Sequence, residues 1–87
     1  MLSMSVYAIF GSPTPADVDA RVQALFPNRL QLGAGQWLVA YQASLPSDVY
    51  QAMKNMGGDL KCIVTPVAGY YGWHDKAIWD WIASRGT

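Results

Sequence analysis

The chain is predicted to fold as an α+β domain: one antiparallel sheet, two helices on one of its faces, and a further helix added at the C-terminal end. Three observations lead there. Short β-branched and aromatic runs alternate with stretches of helical periodicity, in the order strand, helix, strand, strand, helix, strand. Gly, Pro or Asn punctuates the runs where one element has to end. At 87 residues and 52% apolar, the chain suits a single domain over residues 1–87 and is too hydrophobic for disorder.

Ser5–Phe10 reads Ser-Val-Tyr-Ala-Ile-Phe and is stopped by Gly11-Ser12-Pro13. Apolar residues on both faces of so short a run predict a central strand. Thr14-Pro15-Ala16-Asp17 then supplies a cap, a proline suited to the first helical turn and an acidic residue in capping-box position. Val18, Val22, Leu25 and Phe26 fall on one helical face, and Pro27-Asn28 ends it. Arg29–Leu32 and Gln36–Gln42 are predicted strands, joined through Gly33-Ala34-Gly35 in a tight hairpin that needs positive φ. Trp37, Val39 and Tyr41 should share one side of the second of these, with Leu38 and Ala40 on the other.

Ser44 is a plausible cap for a second helix whose stripe is Leu45, Val49, Ala52, Met53 and Met56, and Gly57-Gly58 stops it. Leu60–Val67 reads as the last strand, with Pro66 marking an edge or the end of pairing. An aromatic linker, 68–74, leads to a last helix over about 75–84. This order is the split βαβ pattern of a ferredoxin-like βαββαβ sheet. Its two helices leave one sheet face open, too apolar here to stay bare, and the last helix is expected to close it through Ile78, Trp81 and Ile82.

Charge narrows the function. Charged residues make up 14% of the chain, the formal net charge is zero, and Arg21, Arg29, Lys54, Lys61, Lys76 and Arg85 stand singly. Binding to nucleic acid through the phosphate backbone needs clustered cations, so that class is disfavoured. A near-neutral surface instead favours association. Cys62 is the sole cysteine, which excludes an intrachain disulfide and a Cys-rich zinc site; it reads as a small buried residue. The opening residues lack a secretory pattern and no apolar run reaches the roughly 20 residues of a membrane span, so the expected location is cytoplasmic, with no membrane partner.

Candidate chemistry is sparse. His74-Asp75 is the most reactive-looking pair, but adjacent side chains do not face each other and Asp75 suits a helix cap. Asp80, five residues on, misses the spacing that aligns ligands on a helix. Ser12 lies between a strand and a helix but outside the pattern of a nucleophile elbow. Gly33-Ala34-Gly35 joins two strands, unlike a dinucleotide-binding loop. No catalytic residue, metal site or cofactor is therefore expected.

Aromatic residues carry more information. Tyr70, Tyr71, Trp73, Trp79 and Trp81 crowd into one short segment beside His74. Trp81 is assigned inward, while Trp79, about 100° from Ile78 around the helix, is placed at the margin or outside. Tyr70, Tyr71, Trp73, His74 and Trp79 are thus the candidate interaction residues, with Trp79 the main anchor, because Trp and Tyr bury large area at low entropic cost.

Val6-Tyr7-Ala8-Ile9, Gln36-Trp37-Leu38-Val39, Tyr71-Gly72-Trp73 and Trp79-Asp80-Trp81-Ile82 together resemble the small proteins catalogued as SinR-like. These are similar to the ferredoxin-like CRISPR-associated subunits of spacer acquisition, some of them metal-dependent nucleases. In the nuclease type an aspartate ends the first strand. Here that stretch reads Ala8-Ile9-Phe10-Gly11-Ser12, so the metal chemistry does not carry over. The expected function is a non-catalytic protein-interaction module, acting as a homodimer or docking on a larger complex. The alternatives are a nucleic-acid-acting relative of the acquisition subunits and a small phage-type inhibitor of a host-defence complex.

Overall fold

The computed structural model describes residues 4–11, 13, 15–42, 45–67, 72 and 76–85. Its elements are β1 (Ser5–Gly11), α1 (Pro15–Leu25), β2 (Arg29–Gly33), β3 (Gln36–Tyr41), α2 (Pro46–Gly57), β4 (Cys62–Pro66) and α3 (Lys76–Ser84). The strands form one antiparallel sheet in the order β2-β3-β1-β4. β1 is central, as its apolar character on both faces requires, and β4 lies at an edge, where Pro66 costs no ladder bond.

α1 and α2 cover the first face. Tyr7 and Ile9 of β1 and Trp37 and Val39 of β3 meet Val18, Val22, Phe26, Val49, Met53 and Leu60 in one buried cluster. Phe26 also stands edge-on to Tyr41, with ring centroids 5.2 Å apart. The close approach of α1 depends on two glycines. A Cβ on Gly11 would lie 2.2 Å from Val18 Cγ2. Gly35 has φ +70, and a Cβ there would lie 2.6 Å from the carbonyl oxygen of Gly11. Of the two hairpin glycines, only Gly35 uses the left-handed region.

Two charged side chains lock this layer. Asp19 Oδ1 accepts the backbone N–H of Gly35 at 2.9 Å and the indole N–H of Trp37 at 2.7 Å, pinning α1 to the hairpin. Arg21 reaches across to α2 and donates to the carbonyls of Met53, Gly57 and Gly58 at 3.3, 3.2 and 2.7 Å. It satisfies the carbonyls that a helix C-terminus leaves unpaired and places a cation at the negative end of the dipole.

Several boundaries differ from those predicted. The N-cap of α2 is Leu45, and its N–H is taken by the Asp48 carboxylate at 3.3 Å. The predicted caps Thr14, Ser44 and Asp75 lie outside the described residues. Leu45 and Met56, assigned to the core stripe, are exposed, because α2 turns only Val49 and Met53 fully inward. β3 ends at Tyr41 and β4 begins at Cys62. Leu60 is buried as a plug before the strand, its N–H donated to the Tyr50 hydroxyl at 3.2 Å.

α3 covers the second face. Val6, Ala8, Leu38, Ala40 and Ile82 form its buried cluster, with Met4, Leu30, Leu32, Val67, Ile78, Trp79 and Trp81 packed around them. No described helix is long and apolar enough to cross a membrane.

Candidate interaction surface

The second face is covered unevenly. A nine-residue helix is about 13 Å long and about 10 Å wide, whereas a four-stranded sheet is about 19 Å wide. One helix cannot close such a face. The ladder locates the boundary. Leu38, Ala8 and Thr65 form one cross-strand row, of which Leu38 and Ala8 are buried. The next row is Gln36, Phe10 and Ile63, and here Phe10 is 44% and Ile63 68% exposed. An open groove of about 450 Å³, lined by Phe10, Gly11, Gln36, Lys61, Cys62 and Ile63, wraps this end of the sheet.

Among the described residues no strand pairs the outer side of β4, the edge beside this row. Val67 N–H donates to Val6 O at 2.9 Å, so residues 63, 65 and 67 are those that bond β1. By alternation, Cys62, Val64 and Pro66 direct their backbone groups outward, and Pro66 has no N–H to direct. The β2 edge is different. Arg29 and Gln31 lie along it, and its register breaks between Gln31 and Gly33. A charge and an irregularity are common protections for an edge strand. β4, reading Cys-Ile-Val-Thr-Pro, contains no charge.

Of the candidate interaction residues, Tyr70, Tyr71, Trp73 and His74 lie outside the described residues. Trp79 is partly buried, packed at the rim of the second cluster, where a Cβ on Gly72 would lie 4.0 Å from its ring edge. Trp81, assigned to the interior, is also only partly buried, and Arg85 stacks over its ring at 4.9 Å. Ile82 alone on α3 is fully buried. Both indoles lie in the partly buried ring around the cluster that holds Ala8 and Ala40.

Phe10 and Ile63 were missed as surface residues. Both sit in continuous apolar runs, where alternation gives no sign of which face is covered. The width of a single helix against four strands was the available signal.

The cations are largely engaged elsewhere. Arg21 caps α2, Arg29 donates to the Phe26 carbonyl at 2.9 Å, and Lys54 and Lys76 pair with Asp59 and Asp80 at 3.4 and 2.7 Å. Burial pushes the Cys62 thiol up from its ordinary pKa, and the Arg21 charge partly offsets this. Among the described residues no three His, Cys, Asp or Glu side chains come together as a metal-binding group. Comparison with protein-family models, curated proteins and solved structures finds no match.

Proposed function

We propose that the chain is a non-catalytic protein-interaction module on a ferredoxin-like frame. The strand order β2-β3-β1-β4, with α1 and α2 joining the strands and packing on one face, supports the frame. The observation that carries the function is the exposed row of Phe10 and Ile63 beside the uncharged β4 edge. Large apolar side chains at the end of an open sheet, with unpaired backbone groups next to them, form a surface suited to another polypeptide. The aromatic segment Tyr70, Tyr71, Trp73, His74 and Trp79 is the second contact region we assign to the module. Trp79, its described member, remains partly exposed on the same side of the sheet.

The engagement of Arg21, Arg29, Lys54 and Lys76 within the domain weighs against a nucleic-acid groove. Side-by-side affinity capture tests the module, using the wild type and a variant carrying Phe10→Ser and Ile63→Lys. The expected result is a protein partner, further copies of the chain included, that the variant loses while its melting temperature holds. Capture of nothing by the wild type, equal capture by both, or capture of nuclease-sensitive material alone overturns the proposal.

A further inference from the structure

We infer that β4 is a pairing edge for a second copy of this chain, the two β4 strands running antiparallel about a two-fold axis at Ile63. The inference rests on the interaction-module reading and adds to it the partner and the register. The outward N–H and C=O groups of Cys62 and Val64 call for an extended strand as the occupant. With the axis at Ile63, Cys62 of each copy faces Val64 of the other. Each of these two facing pairs exchanges two bonds, so all four outward groups of Cys62 and Val64 in each copy are satisfied. Pro66, which lacks an N–H, falls opposite Leu60, beyond the ladder.

The same register brings the two Ile63 side chains directly opposite each other. The row Gln36, Phe10, Ile63 then runs across the seam into its own symmetry mate, and Ile63, the most exposed large apolar side chain among the described residues, becomes buried. An axis at Val64 is worse on both counts. It would set Thr65 against Ile63 and Pro66 against Cys62, breaking the apolar row and leaving Cys62 O without a donor.

Charge is compatible with a second copy. Lys61 faces Thr65 in the Ile63 register, no charged residue lies between positions 62 and 66, and the formal net charge of the chain is zero. Like charges are therefore not brought together. An isologous contact needs such a self-complementary patch. β2 does not offer one, because Arg29 and the break at Gln31/Gly33 interrupt it.

Sedimentation and light scattering of the full chain across a wide concentration range, together with cysteine cross-linking, test the inference. With Cys62→Ser as background, Ile63→Cys should give a covalent dimer under mild oxidation, since directly opposed residues of a non-hydrogen-bonded pair lie about 4.5 Å apart between Cα atoms, within disulfide reach. Thr65→Cys in the same background should give no covalent dimer, because Thr65 faces Lys61 in this register. Ile63→Lys, which opposes two ammonium groups at the axis, should raise the dimer dissociation constant about tenfold or more and leave the far-ultraviolet spectrum unchanged.

A chain that is monomeric at every concentration, yet captures another protein through Ile63, overturns the second copy and leaves the module standing. A dimer that Trp79→Ala dissociates, and that Ile63→Cys does not cross-link, overturns the edge and likewise leaves the module standing. A monomer that captures nothing overturns both.

Discussion

The two faces of the sheet are built to different standards. Among the described residues, ten buried side chains and two helices close the first, with Asp19 and Arg21 joining the layers by hydrogen bonds. Five buried side chains and one helix among the described residues serve the second, and two of the five are alanines. The second has a short helix over small residues, indoles at its rim and an apolar row beyond its reach. Among the described residues, Leu45 and Met56 are also exposed, at the ends of α2, but Phe10 and Ile63 form a cross-strand row beside a strand edge, and that row is the apolar surface best placed for a partner.

Substitutions on the two faces should differ in size. Phe26 is 1% exposed and packs edge-on to Tyr41, so Phe26→Ala should cost about 3–5 kcal/mol in urea unfolding. On a domain of typical stability, about 5–15 kcal/mol, this approaches global unfolding. Ile82→Ala removes the one fully buried side chain of α3 and should cost about 2 kcal/mol, the low end for such a change, since a nine-residue helix with a single fully buried side chain can settle into the gap. Equal losses at the two positions would mean that the two faces are packed equally well.

Asp19 tests how the first face is fastened. Asp19→Ala leaves the indole N–H of Trp37, in a residue only 3% exposed, without its acceptor, and should cost about 1–3 kcal/mol. Asp19→Asn keeps an oxygen at that point and should cost less. If the two variants unfold at the same urea concentration, the hydrogen bonds are not what fastens α1 to the hairpin.

Residue patterns made the strands and helices legible because each repeats a local rule: alternation in β3, helical spacing at Val18 and Val22, proline at the start of α1. They also foretold that something must lie over the second face. What they could not yield was the extent of that cover. Ile63 and Val64 are equally apolar neighbours, and only the ladder assigns Val64 to the first cluster and Ile63 to solvent. Trp79 and Trp81 were separated by helical angle alone, yet both lie partly buried around the second cluster. Arg21 stands as a single cation in the sequence because its partners are backbone carbonyls up to 37 residues away, and nothing local marks Asp19, whose partners Gly35 and Trp37 lie 16 and 18 residues on.

The smallest effect joins the well-built face to the edge it leaves open. Cys62 begins β4 with its side chain against the first cluster, where burial raises its pKa and the nearby Arg21 charge lowers it. The net displacement is upward, so the folded chain holds the thiol proton more tightly than the unfolded chain does. The resulting stability is fully present below the unfolded thiol pKa and is lost as pH rises through the folded value. Wild type should therefore lose more stability than Cys62→Ser across the alkaline range. Arg21→Met removes the opposing charge and should push the thiol higher still. Its alkylation by iodoacetamide at mildly alkaline pH should be slower than in wild type, because only the thiolate reacts. The same change strips the cap from α2 and should cost about 1 kcal/mol in urea unfolding. Faster alkylation in Arg21→Met would mean that the loosened end of α2 opens the thiol to solvent, so that Arg21 acts on Cys62 through packing rather than through its charge.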